Sequence, residues 1–207
     1  MHLHKIAIIP IFLLMIVHSD LSAQKTKATL IFKDGTKMEG YGKRIIGDRI
    51  KFKTDKKART RKYHFSELEK AIILDGDYYS TYVYLGVKQD NFKVFKELAV
   101  GKVNLYLLET SGYSGPMYVG GAGNTGGWVG GQGYQIKNLF VQRYGQNELI
   151  HLGSNQLFTK NFKKAATAFF KDCPELAKKI QDKTYRKSDI KNVVEFYNNQ
   201  CELVDAK

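Results

Sequence analysis

The feature that most constrains this chain is a change of hydrophobic period near residue 160. From Ala28 to Leu152 the apolar residues come in short runs or alternate with polar ones, the pattern of strands. Beyond it, Phe162, Ala165, Ala166 and Phe169 recur at i, i+3, i+4 and i+7, and Ile190, Val193, Val194 and Tyr197 repeat that spacing. Strands gathered first and helices last predict an α+β protein.

Within the strand part, residues 24–75 read as a small SH3-like or similarly rolled β-domain. Ala28 to Phe32 is a first strand, Asp34-Gly35 a tight turn, and Met38 to Ile46 a second strand. Arg49 to Lys53 alternates strictly, which turns Ile50 and Phe52 inward and Arg49, Lys51 and Lys53 outward. A loop over 54–60 leads into Arg61 to Phe65. Ser66 and Glu69 then have capping-box spacing for one helical turn, and Ala71 to Leu74 closes the unit.

Residues 76–159 continue as antiparallel sheet, with strands expected over Tyr82 to Leu85, Phe92 to Val100, Lys102 to Leu108, Ile136 to Arg143 and Leu149 to Leu152. They are interrupted at 112–133, where ten of 22 positions are glycine and Tyr113, Tyr118 and Trp128 are scattered between them. Because glycine loses the most entropy on ordering, this segment is expected to be a surface loop. It is either functional, presenting Trp128 and its tyrosines to sugar rings or a protein groove, or without a role.

Residues 160–207 form a three-helix segment, with Pro174 suited to a first helical position. If the helix from Pro174 and the one ending near Gln200 run antiparallel, Cys173 and Cys201 meet at one end. A bridge there closes a loop of about 29 residues, worth roughly 3–4 kcal/mol in the chain-entropy model.

Residues 1–23 predict the compartment. Lys5 precedes an apolar run from Ile6 to Val17, followed by a polar stretch ending Leu21-Ser22-Ala23, the three regions of a secretory signal peptide. The run is too short for a transmembrane helix, which needs about 20 residues, so no membrane span is expected once the leader is cut after Ala23. An exported protein, periplasmic or extracellular, fits a disulfide between its two cysteines.

Charge is the other strong signal. The chain carries a net +13, and the excess lies at the front, where 24–75 hold 15 basic against 7 acidic residues. Arg49, Lys51, Lys53, Lys56, Lys57, Arg59, Arg61 and Lys62 are interrupted only by Asp55. Such a field steers anionic partners and binds them by counterion release. The plainer reading of the same run is a solvated face that keeps a basic protein dispersed.

The leader, Gly101-Lys102-Val103-Asn104-Leu105-Tyr106, Asp172-Cys173-Pro174-Glu175-Leu176 and Tyr197-Asn198 before Cys201 together resemble a group of small exported Bacteroidota proteins of unassigned activity. The resemblance extends loosely over the mature chain but leaves out the glycine-rich segment. It implies an architecture and a compartment, and no catalytic residues.

Motifs for chemistry are few. Gly121-Ala122-Gly123-Asn124-Thr125-Gly126 matches a dinucleotide-binding string, but glycine continues through Gly133, so no helix can start there to hold a pyrophosphate. No phosphate-binding lysine follows, so neither a nucleotide nor another cofactor is expected. His64 and His151 are the only histidines after the leader, which argues against a zinc site, and Asp75-Gly76-Asp77 lacks the remaining ligands of a calcium loop. No catalytic residue can be named. Phe52 faces away from Lys51 and Lys53, which argues against a base-stacking surface, as does export. The sequence therefore leans towards a non-enzymatic, envelope-associated binding module that engages an anionic polymer or a protein partner. The binding candidates are Lys51, Lys53, Lys56, Lys57, Arg59, Arg61, Lys62 and Trp128. The alternative is an enzyme of unrecognised type acting on an envelope polymer.

Overall fold

The computed structural model describes residues 26–44, 47–88, 91–120, 126–156 and 161–201; the leader expected at 1–23 and most of the dinucleotide-like string lie outside these. Strands β1 (Thr26–Phe32), β2 (Lys37–Arg44), β3 (Arg49–Lys53) and β4 (Arg61–His64) are followed by a 3-10 turn (Phe65–Glu67) and β5 (Leu68–Asp75). Next come β6 (Tyr78–Lys88), β7 (Asn91–Ala99), β8 (Val103–Ser114), β9 (Met117–Val119), β10 (Gly127–Val129), β11 (Gln132–Arg143) and β12 (Ile150–Ser154). Helices α1 (Phe162–Phe169), α2 (Pro174–Gln181) and α3 (Ile190–Gln200) complete the α+β fold.

Ten strands form one sheet in the order β12-β11-β8-β7-β6-β5-β1-β2-β3-β4, with antiparallel neighbours throughout. The first five strands have the order β5-β1-β2-β3-β4 with a 3-10 turn before β5. Ala28, Leu30, Ile50, Phe52, Phe65, Leu68, Ala71 and Ile73 fill the interior of this unit. The roll brings backbones close at Gly40, where an added Cβ would lie 2.2 Å from the Lys53 carbonyl oxygen. A side chain there would push β2 off β3.

The turn before β5 is capped two residues earlier than the spacing of Ser66 and Glu69 suggests. His64 is the N-cap: its Nδ1 accepts from the Ser66 N–H at 3.0 Å, and Glu67 Oε1 accepts from the His64 N–H at 3.1 Å. A 3-10 turn of three residues has no room for a cap at Ser66. Nδ1 as acceptor leaves the ring proton on Nε2, 2.9 Å from Asp48 Oδ2. That hydrogen bond is the main reason the Asp48 carboxyl sits below its ordinary value.

Alternation carries the interior face of the rolled unit across β6 and β7, where Tyr82 and Val94 still pack on it, and on to Leu105, Val141 and Leu152. There the helices replace β2–β4 as the cover. Phe162, Ala166, Phe170, Leu176, Ile180, Ile190, Val193, Val194 and Tyr197 are buried against the sheet. The opposite face gathers Phe95, Tyr106 and Phe140.

Polar contacts fix the helical layer in place. The Arg143 guanidinium donates to both oxygens of Asp172, at 2.9 and 2.8 Å, and to the Phe169 carbonyl at 2.7 Å. It also donates to the Tyr197 hydroxyl at 2.6 Å, and that hydroxyl donates to Asp172. Arg143 thus ties β11 to both α1 and α3. Asn198 accepts from the Val103 N–H at 2.8 Å and donates to the Val103 carbonyl at 2.9 Å, so α3 is read by β8 like an extra strand residue. Gly101 is small because the Asn198 amide lies where its Cβ would be, and Lys102 donates to the Cys201 carbonyl at the end of α3. Cys173 and Cys201 are bonded, with Cα atoms 5.7 Å apart. Gly101, Lys102, Val103, Arg143, Asp172, Tyr197 and Asn198 are therefore among the residues that seat the helices on the sheet.

Two measurements follow. Burial alone would raise the Asp172 pKa, but hydrogen bonds from Arg143 and Tyr197 and the Arg143 charge outweigh it and hold the carboxyl below the ordinary value of 3.8. A depressed acid stabilises the fold fully above its unfolded pKa and loses that contribution as pH falls through the folded value. Urea unfolding should show Asp172→Asn costing about 1–3 kcal/mol at neutral pH, with the deficit shrinking as the wild type is acidified below about pH 4. Replacing both cysteines by alanine should cost about 2–4 kcal/mol, read as a lower unfolding midpoint with the helical signal retained below it.

Candidate anion-binding surface

Cross-strand pairing, rather than sequence adjacency, builds the basic surface. Lys43 of β2 lies opposite Lys51 of β3, and Lys51 lies opposite Lys62 of β4. Directly opposed residues share a face with Cβ atoms about 4.5–5.5 Å apart, so the three ammonium groups form one row on the outside of the roll. All three residues are exposed. Among the described residues none of them has a carboxylate within ion-pair distance.

The remaining cations surround the row unevenly. Lys53 is opposite Tyr41, and its ammonium donates to the Lys56 carbonyl, while Lys56 stands 5.9 Å over the Tyr41 ring. Lys57 and Arg59 are exposed in the loop. Asp55, the one acid in the run, accepts from the Lys57 and Ala58 N–H groups at 2.7 and 2.9 Å. Its charge holds the loop in a turn, at one side of the lysine row. Arg61 pairs with Phe52, on the other face of β4, where it lines a small cleft with Met38 and Tyr63. Seven of the sequence candidates are thus split between an outward row, a loop and an inward-facing cleft. Lys43 completes the row and was not among them. The signal that could have found it is the alternation Glu39, Tyr41, Lys43, which puts these three on the outer face of β2.

Trp128 lies elsewhere. Among the described residues of the glycine-rich segment much is strand where a loop was expected: β8 and β11 pair out to Ser114 and Gln132, and β9 and β10 pair with each other beyond them. Three of these glycines lie under rings from across the ribbon, whereas Gly115, Gly120, Gly127, Gly130 and Gly133 have open space where a side chain would stand. An added Cβ on Gly112 would lie 2.4 Å from the Tyr134 ring, on Gly131 2.7 Å from the Tyr113 ring, and on Gly126 2.5 Å from the Tyr118 ring. An aromatic laid over a cross-strand glycine supplies the packing that the glycine lacks. The base of this arm, at Glu109, Ser111 and Gln135, and the β2–β3 turn at Gly47 and Asp48 border one cleft of about 400 Å³.

The ionisable groups Arg143, Asp172 and Tyr197 are satisfied by one another in the seam between sheet and helices. Burial, followed by the hydrogen bond to Asp172, raises the Tyr197 pKa. Among the described residues no group of three or more His, Cys, Asp or Glu side chains is gathered where it could hold a metal ion. Comparison of the chain with protein-family models, curated proteins and solved structures finds no match.

Like charges held opposite one another in a sheet repel, by about 0.2–1 kcal/mol per pair. Lys51→Glu should therefore stabilise the fold by about that much at low ionic strength, and the gain should shrink in about 1 M salt, where the screening length falls to about 3 Å. Urea unfolding at the two salt concentrations checks this; an equal change at both would mean that the row carries no electrostatic strain.

Proposed function

We propose that this protein is a non-enzymatic, exported binding module, associated with the cell envelope, that holds an anionic polymer on the outer face of its rolled N-terminal unit. The observation that carries this reading is the row Lys43-Lys51-Lys62, three opposed ammonium groups with no described carboxylate to neutralise them. A polyanion laid along the row relieves the repulsion and releases its own counterions, so binding and strain relief have the same sign. The loop cations Lys57 and Arg59 extend the field beyond the end of β3. The Cys173–Cys201 bond fits an oxidising compartment, which supports the export reading of the leader. No helix among the described residues is long and apolar enough to cross a membrane.

Calorimetry with a sulfated or phosphorylated polysaccharide tests this reading. The logarithm of the binding constant should fall linearly with that of salt concentration. Each cation near an anionic surface is worth about 1 kcal/mol, so Lys51→Glu with Lys62→Glu should weaken binding by at least about tenfold at low salt. Equal binding by this variant, or none by the wild type at low salt, would reduce the row to a solvated face.

A further inference from the structure

The arm formed by β8–β11 has a composition unlike the rest of the chain. In a protein of net charge +13, no residue from Thr110 to Ile136 is charged. Its outer strands carry Trp128 opposite Tyr118, with ring centroids 5.5 Å apart, on one side of the ribbon. On the other side Met117 is opposite Val129, and Val119 is opposite Gly127. Both sides are therefore apolar, and both are open: Trp128 is 73% exposed, Met117 67% and Val129 53%. A ribbon that docks on a protein body hides one side and keeps the other polar. This one is suited to a medium that surrounds it.

We infer that the β9–β10 end of the arm inserts into the interfacial layer of a lipid bilayer carrying anionic headgroups. The inference rests, for its long-range step, on the anion-binding reading of the lysine row: those cations draw the protein to a negative surface, and the arm then enters it. Tryptophan and tyrosine favour the headgroup level, where an apolar ring and a polar N–H or O–H are both accommodated. The depth is limited by the backbone. A two-stranded ribbon has unpaired N–H and C=O groups along its outer edges, which can be satisfied among headgroups and water but not in hydrocarbon. The arm is thus an anchor at the surface and not a span. Electrostatic attraction combined with a shallow apolar element is the pairing that reversible membrane attachment requires.

Trp128 is the only tryptophan in the chain, so its fluorescence reports the arm alone. The purified protein is titrated with vesicles of phosphatidylethanolamine and phosphatidylglycerol. Emission should shift to the blue and be quenched by lipids brominated on their acyl chains. A variant with Met117→Ser, Tyr118→Ser and Val129→Ser keeps the reporter. It should lose the shift and co-sediment with vesicles about tenfold less, in line with the loss of apolar burial, while binding sulfated polysaccharide as the wild type does. Lys51→Glu with Lys62→Glu should need more lipid to reach the same shift. Sedimentation with vesicles without any shift of Trp128 would overturn the inference. So would an equal shift with soluble polysaccharide, which would make the arm a sugar platform, or a shift that grows with protein concentration alone, which would make it a contact between copies. Retained polysaccharide binding in those cases leaves the anion-binding reading standing. Failure of the wild type on both polysaccharide and vesicles removes that reading as well.

Discussion

The arrangement depends on β5 being hydrogen-bonded along both edges. On one side it pairs with β1 and closes the rolled unit; on the other it pairs with β6 and begins the meander that ends at β12. Its inward residues Ala71 and Ile73 belong to the core of the roll, and the same sheet face continues under the helices. A strand shared in this way cannot slip by one residue without exposing Ala71 and Ile73 and burying Lys70 in their place. The orientation of the lysine row relative to the aromatic arm is set by that register.

Two kinds of cover protect one face of this sheet. In the N-terminal half the sheet covers itself, because Gly40 lets β2 and β3 bend close together. In the C-terminal half the cover is three short helices, too short to be stable alone. They are held by buried apolar contacts, the disulfide, and the bonds from Arg143 and Asn198. The polar groups in that seam, Arg143, Asp172 and Tyr197, are engaged with each other and describe how the layers are joined. The surfaces left with unmet chemistry are the cationic row and the uncharged arm.

Much of this was legible in the sequence because it is written in local periodicity. The alternation of Arg49 to Lys53 gave the right inward and outward sides, and Phe162 and Ile190 open helices where the spacing placed them. Proline at the first position of α2 was an equally local signal, and the Cys173–Cys201 bond followed from two helices expected to run antiparallel. What was not legible depends on pairing between strands. Lys43 joins Lys51 and Lys62 only through the β2–β3–β4 register, and Arg61 leaves them for the same reason. The glycine-rich segment reads as a loop until the facing strand is known, because the rings over Gly112, Gly126 and Gly131 lie some 8 to 22 residues away in sequence: Tyr118 covers Gly126 and Tyr134 covers Gly112. His64 as a cap was hidden by the more familiar Ser66.

The central claim is that an anionic partner occupies the outer face of β2, β3 and β4. It is tested most directly by amide chemical shifts recorded while a short sulfated oligosaccharide is added at low salt. The account predicts that the shifts concentrate at residues 41–43 and 49–62 and disappear on adding salt. Shifts centred instead on the lysines of α1 and α2, or spread evenly over every exposed cation, would contradict it.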